Sequence, residues 1–494
     1  MSVKTKAIDA FAAAAFASLA ACSSSGSSPG THGDAGLVHP GPSCAAGGAA
    51  GLASFNAPVD PGGGGVLFAA SGEVLALSGY PFPPVNAGDP VFVDGWDVHF
   101  TRLLVTVDNI TVSSNPDMSK GDQSQTGGAV AGVKGPWAID LSHSDPGYLP
   151  GKGGPGEQAV PIAALKGQNL VSGSPGFATD GTRYAFGFDL IAATTCTADG
   201  RQTLNVNIDA AGQADYQEMV QNGCAVLYVG TATFKGGTVP GYTGCNSDDA
   251  GVYQTWPQTV NFRLCFKSPT TYVNCQNPDN DPAKAFPNEE HQRGIAFKSS
   301  QSVIGQVTVH TDHPFWDSVL HDSPAHFDQF AARLAGQNGG GSANGSSDGG
   351  ASSGVSDAGA SEGGASADGG AISEGGGGAS ADGGVLIEGG GGALDGGVPT
   401  VTVELTKGVD YTAYTDALGH KLNWRYCIAP STDVHPQFNG PMAFDPQGVP
   451  HCVGANSATG LCDYYDYSTY NQSTQGHLNS NGLCFVKRNY PSPP

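Results

Sequence analysis

The sequence predicts a mainly β protein, an antiparallel β-sandwich-like body with minor helices and a long low-complexity insertion. Three observations carry that prediction. Apolar residues recur with period two in several separate runs, Gly, Pro, Asn and Asp punctuate those runs, and helical spacing is confined to two short stretches. Period-two runs of this kind suit antiparallel sheets with one buried face.

Taken in chain order, Trp96, Val98 and Phe100 share one parity and Leu103, Val105 and Val107 the other. A strand keeps its apolar set on one face through such a switch only by inserting a residue, so a β-bulge is expected near Arg102. Tyr184, Phe186, Phe188 and Leu190 alternate with smaller or polar neighbours, as do Leu204, Val206 and Ile208, and then Val260, Phe262, Leu264 and Phe266. A short helix is expected over Gln213 to Gln221. A second is expected from about Pro324 to Ala335, where Phe327, Phe330, Ala331 and Leu334 follow i, i+3, i+4, i+7 between Ser323-Pro324 and Gly336.

Residues 337–397 are almost entirely Gly, Ala, Ser, Asp and Glu, with a tandem 14-residue copy beginning at Ala365 and again at Ala379. So little apolar area cannot offset the entropy of ordering, and the segment reads as an acidic linker. It separates a β-rich unit, residues 61–336, from a C-terminal region, residues 398–494, which opens with the strand candidate Val401 to Leu405. The C-terminal region is either a second domain or the last strands of the first. The second arrangement is favoured, because about 97 residues with few apolar runs make a modest core alone.

Residues 1–21 read as an export signal. Lys4 and Lys6 precede an apolar run from Ala10 to Ala17, and the segment ends in Leu19-Ala20-Ala21-Cys22 before the Ser/Gly-rich stretch Ser23 to Ser28. This resembles the lipobox of bacterial lipoprotein signal peptides. The resemblance implies export, cleavage before Cys22 and lipidation of that cysteine, with residues 22–60 as a flexible tether. Ser23, rather than aspartate, after the cysteine implies sorting to the outer membrane. The expected location is the cell envelope, reached through a lipid anchor.

Cysteine usage points the same way by an independent route. Of the eleven cysteines, ten remain after Cys22, an even set that reads as up to five disulfides in an oxidising compartment. Cys265 with Cys275 and Cys452 with Cys462 would each close a small loop, and these are the local bridges expected. No Cys-x-x-Cys occurs, which argues against a thioredoxin-type site, a zinc ribbon and c-type haem attachment.

The formal net charge is −23. An acidic balance without a basic cluster argues against nucleic acid as a partner. Tyr464, Tyr465, Tyr467 and Tyr470, interleaved with Asp463 and Asp466, form either a stacking surface for a glycan or protein partner or a loop beside Cys462. Asn277-Pro-Asp279-Asn-Asp281 and Asn246-Ser-Asp248-Asp249 offer oxygen ligands for Ca(II) but read better as Asx turns. Gly-x-Ser-x-Gly occurs only in the tether and the linker, without the strand-turn-helix context of a nucleophile elbow.

The main candidate site is His310 to Asp328, which holds His310, His313, His321 and His326. Neutral imidazoles and carboxylates are ligands for Cu(II) or Zn(II), and clustering lowers the entropy of assembling them. His326 is expected in the first turn of the second helix, where the dipole disfavours imidazolium. His321 and His326 would point about 140° apart on one helix, so a site requires the loop to converge them. The function expected is a non-enzymatic binding or structural envelope lipoprotein with a Cu/Zn site. The alternative is a metal-dependent exported enzyme on the same histidines, with Asp317, Asp322 or Asp328 as base.

Overall fold

The computed structural model describes residues 37, 39–45, 51–167, 170–235, 259–316, 325–327, 330, 400–403, short strands between 414 and 452, and 464–490. Among the described residues strand outweighs helix, in a 12-stranded sheet, a 6-stranded sheet and two two-stranded ones. The chain is mainly β, as the alternation predicts, but its sheets are mixed and not purely antiparallel: Val66–Ser71 pairs in parallel with Val303–Val309, and Thr259–Phe266 with Thr400–Val403.

The long strand Trp96–Ser113 organises the larger sheet. Its first part pairs with Val226–Phe234, its middle with Trp137–Asp140, and its last part with Ala129–Val133 and Asp180–Leu190. The ladder to Val226–Phe234 matches Val229 with Arg102 and then Gly230 with Phe100, leaving Thr101 as the extra residue. That bulge returns Trp96 and Val98 to the face that buries Leu103, Val105 and Val107, and all five are fully buried. Gly230 is required opposite it, since a Cβ there would meet the His99 carbonyl.

The two sheets share one core. Phe68 of the smaller sheet lies against Phe186 of the larger, with ring centroids 5.8 Å apart. The other face of the larger sheet is covered by the helix Ala210–Asn222, which packs Tyr216 and Met219 on Leu104, Ala138 and Leu227. Asp209 caps this helix through Gly212 N, and Gly223 ends it in the left-handed region. The alternation of Leu204, Val206 and Ile208 yields only a two-residue strand, Leu204–Asn205. The Asn205 side chain bonds both backbone groups of Ile208 and turns the chain toward Asp209.

Among the described residues, three disulfides join Cys44 to Cys196, Cys224 to Cys265, and Cys275 to Cys484. The expected Cys265–Cys275 bridge is thus incorrect. Cys265 faces the small core under the helix with Cys224, whereas Cys275 faces the main core, so the two thiols lie in different layers. Cys462, and with it the Cys452–Cys462 bridge, lies outside the described residues, as do Cys22 and the signal segment.

The described parts of residues 22–60 are tied to the body. Cys44 is disulfide-bonded, Ser43 bridges Arg201, and Ala53–Ser54 forms a parallel strand with Leu204–Asn205. At the other end of the chain, Gly476–Leu478 joins the smaller sheet beside Val303–Val309, and Phe485–Arg488 pairs with Thr270–Val273. Strands from both sides of the low-complexity insertion therefore lie in the same sheets.

Candidate functional site

Strand register assembles the site. Val66–Ser71 and Val303–Val309 are parallel, with Ser71 opposite Thr308, so both leave the sheet at the same edge. Glu73 and His310 emerge there side by side, with Glu73 Oε1 3.4 Å from His310 Nε2. On the other flank Gly476–Leu478 runs antiparallel and places His477 opposite Thr308. The chain then crosses Thr311 and Asp312 into a single 3-10 turn, His313–Phe315. Pro314 suits this first turn because its missing N–H is not required there.

His310, Asp312 and His313 bring one ligand atom each to within 4.8 Å of one another. His310 and His313 are buried, and their ring centroids are 5.1 Å apart. On a tetrahedral zinc with bonds of about 2.1 Å, ligand atoms lie roughly 3.4 Å apart. Asp312 Oδ1 is buried and accepts no hydrogen bond among the described residues.

The hydrogen bonds fix how the two imidazoles are protonated. His310 Nε2 lies 2.9 Å from the Ser480 carbonyl, which can only accept. The proton is therefore on Nε2 and the lone pair on Nδ1. His313 Nδ1 lies 2.8 Å from Thr474 Oγ1, whose own proton is donated to Asn471 O. The hydroxyl therefore accepts from Nδ1–H, and the lone pair is on Nε2. In its neutral form each ring is oriented by the protein with its proton on the engaged nitrogen, the arrangement seen in metal-binding histidines.

Glu73 is the acidic neighbour. Burial pushes its carboxyl up to about 7, the nearby carboxylates of Asp312 and Glu157 add to the rise, and His310 opposes it. Glu73, Asn479 and Ser480 all have positive φ, at 63°, 52° and 72°. Non-glycine residues in that region cost of order 1–3 kcal/mol each and cluster at functional sites. Below them, Glu157 accepts from Ser71 Oγ, Gln306 Nε2 and Gly153 N, which leaves this buried carboxylate fully engaged in the floor of the site.

His326 does not join this group. His326 is not in a helical turn: Ala325 bridges Phe92 and Trp316, and His326 N donates to Phe315 O. Its ring is fully buried, with Nδ1 3.9 Å from Asp94 Oδ2, and burial lowers its pKa to about 3. The extended pairing wins over helical periodicity here because Phe327 packs into the aromatic core against Phe92, Trp96 and Phe262. His321, Asp317, Asp322 and Asp328 lie outside the described residues.

Asp279 carries no open calcium site. It is paired with Lys152 Nζ at 2.9 Å and accepts from Asn479 Nδ2, and its own backbone N–H closes an Asx turn on Asn277. The tyrosine-rich stretch is a helix, Tyr464–Gln472, in which Tyr470 lies under Arg488. Glu73, Asp312, Thr474, His477 and Ser480 are the residues that the histidine cluster alone does not reveal. Asp312 lies between the two histidines in the sequence, whereas only the sheet register brings in Glu73, Thr474, His477 and Ser480.

The fold and site define a mainly β, disulfide-bonded protein with a buried His/Asp group at one sheet edge. Comparison with protein-family models, curated proteins and solved structures gives no match.

Proposed function

We propose that the chain is an exported, lipid-anchored envelope protein that binds one divalent transition-metal ion, Zn(II) or Cu(II), through His310, Asp312 and His313 and acts as a binding or structural module. The observation that carries this reading is the convergence of two buried, tautomer-fixed imidazoles and one carboxylate within 4.8 Å. Imidazole nitrogens suit Zn(II) and Cu(II) better than Ca(II) or Mg(II), which take oxygen ligands. Burial of both imidazoles favours a closed, structural ion over one open to a substrate. This is why the binding module is preferred to the metal-dependent enzyme.

The resemblance to a lipobox supports the anchor, and the three disulfides fit an oxidising compartment. No described helix is long and apolar enough to cross a membrane. Elemental analysis of protein from a membrane fraction, beside a His310→Ala/His313→Ala variant, tests the metal. About one ion per chain, lost in the folded variant, supports the reading. No metal in the wild type after incubation with Zn(II) and Cu(II) overturns it. For the anchor, Cys22→Ser is expected to move the protein from the membrane to the soluble fraction.

A further inference from the structure

We propose that the Cys275–Cys484 disulfide is a redox-sensitive lock on the histidine site: the site is complete only while this bridge is oxidised, because the bridge holds the C-terminal segment that orients His310 and His313. The lock itself stands on how that segment docks, and only its consequence for a metal rests on the reading above.

The C-terminal segment reaches the site from the far side of the insertion. Its Gln475 carbonyl accepts from His310 N at 3.0 Å, its Ser480 carbonyl lies 2.9 Å from His310 Nε2, and its Thr474 Oγ1 lies 2.8 Å from His313 Nδ1. Asn479 N donates to the Gln306 carbonyl, and Gln306 N donates back to Asn479 Oδ1. The seam is polar. Asn471, Gln472, Ser473, Gln475 and Asn479 are buried in it, whereas Leu478 is the one fully buried large apolar side chain among the described side chains of the segment. Hydrogen bonds exchanged for water contribute modestly, and the apolar burial that drives association is small here. A covalent tie therefore carries more of the docking than it would across an apolar seam.

Cys484 is placed to be that tie. It is the single residue between Gly482–Leu483 of the smaller sheet and Phe485–Arg488 of the larger one, and Gln276 N, next to Cys275, donates to the Leu483 carbonyl. Without the bridge, the covalent link among the described residues is the main chain that carries the insertion, and a loop of that length closes at a large entropic cost. The other two bridges act elsewhere. Cys44–Cys196 ties down the N-terminal segment, and Cys224–Cys265 is buried on both sides under the helix Ala210–Asn222.

The chemistry is thiol–disulfide exchange. A dithiol attacks the half-buried Cys484 at Sγ, the S–S bond breaks, and the fully buried Cys275 leaves as a thiolate that takes up a proton. The second thiol resolves the mixed disulfide, so the bridge gains two electrons and two protons while the dithiol becomes a disulfide. Transfer of the same electrons to a disulfide oxidant restores the lock. A reduced chain thus lacks the complete site, which forms only where disulfides form.

Amide hydrogen exchange on the full chain tests the lock, with the oxidised protein compared with graded reduction by dithiothreitol and with Cys275→Ala/Cys484→Ala, which keeps the other two bridges. Thiol alkylation and mass spectrometry identify the bridge reduced at each step. Loss of Cys275–Cys484 is expected to speed exchange at least about thirtyfold at 476–478 and at the His310 amide, while Trp96–Ser113 stays protected. Equal exchange with and without the bridge overturns the lock. So does faster exchange in Trp96–Ser113 as well, since the bridge would then support the whole fold and not the site. Graded reduction starts from folded protein and decides the matter if the alanine pair does not fold on expression. Failure of the lock is separable from failure of the metal reading: in the former the reduced protein binds Zn(II) as the oxidised protein does, and in the latter the oxidised protein binds none while its exchange still responds to reduction.

Discussion

Two titrating side chains work against each other in this fold. His326 is buried with its pKa lowered to about 3, below its ordinary value of 6.5. The unfolded chain therefore binds a proton that the native state refuses, and stability contributed by the neutral ring is lost as pH falls from about 6.5 toward 3. Glu73 has the opposite sign. Its folded pKa of about 7 lies above the ordinary 4.5, so the native state binds the extra proton, and stability present below pH 4.5 is lost as pH rises through about 7. In metal-free protein, Glu73→Gln is expected to stabilise the fold at pH 8 by up to ~3 kcal/mol, the full value of that shift, and to have little effect at pH 4. His326→Gln should flatten the acid limb of the profile while lowering stability at neutral pH, because an amide replaces a packed ring. Denaturant unfolding from pH 4 to 8 measures both. An unchanged slope between pH 4 and 6 in His326→Gln would count against the assigned role of that ring.

At the level of elements, the bulge at Thr101 decides whether the longest strand can serve the core. Side chains alternate with period two, so removing one residue sends everything before it to the other face. Deleting Thr101 would turn Trp96, Val98 and Phe100 out of the core, at about 1.5–3 kcal/mol for each large side chain. A loss of that size rivals the whole stability of an ordinary domain. The deletion is expected to abolish cooperative unfolding by near-UV circular dichroism, whereas Thr101→Ser, which keeps the count, should change stability by less than about 1 kcal/mol. The helix Ala210–Asn222 offers a milder test. Asp209 both caps Gly212 N and accepts two hydrogen bonds from Arg102. Asp209→Ala should lower stability by about 1–2 kcal/mol, mostly through the cap, since Asp209 is largely exposed and its ion pair is screened.

For the molecule as a whole, the disulfide between Cys275 and Cys484 spans 209 residues and encloses the low-complexity insertion. Chain-entropy reasoning gives of order 5 kcal/mol for a loop of that length, with measured bridges more often at 2–4. The Cys275→Ser/Cys484→Ser variant is expected to lose 2–5 kcal/mol in urea unfolding and to expose the strand Gly476–Leu478 to exchange. Halving the insertion within 337–397 should matter far less, by under about 1 kcal/mol, since closure entropy changes only slowly with length. A large loss from that shortening would mean that the insertion packs on the body.

The strand content, the bulge beside Arg102, the runs Tyr184 to Leu190 and Val260 to Phe266 and the helix near Gln213 to Gln221 were all legible in the sequence, because each depends on periodicity over fewer than twenty residues. His310 and His313 were legible as neighbours for the same reason, being three residues apart in the sequence, just before Pro314. The failures came where packing competes with a local signal. Phe327 and Phe330 have helical spacing, and Phe330 is helical, yet Ala325 before it is bridged to Phe92 and Trp316 and the aromatic core takes up Phe327, so the helix does not begin at Pro324. Spacing favoured Cys265 with Cys275, but the two face opposite layers of the fold. Glu73, His477 and Ser480 come to His310 from 237 residues before it and 167 and 170 after it. Sequence by itself determined the mainly β class and the strands whose faces alternate, because side-chain alternation is a local property. Tertiary structure alone decided which strands are neighbours, and hence which side chains meet, because parallel and antiparallel register is set by the burial of whole faces across the sheet.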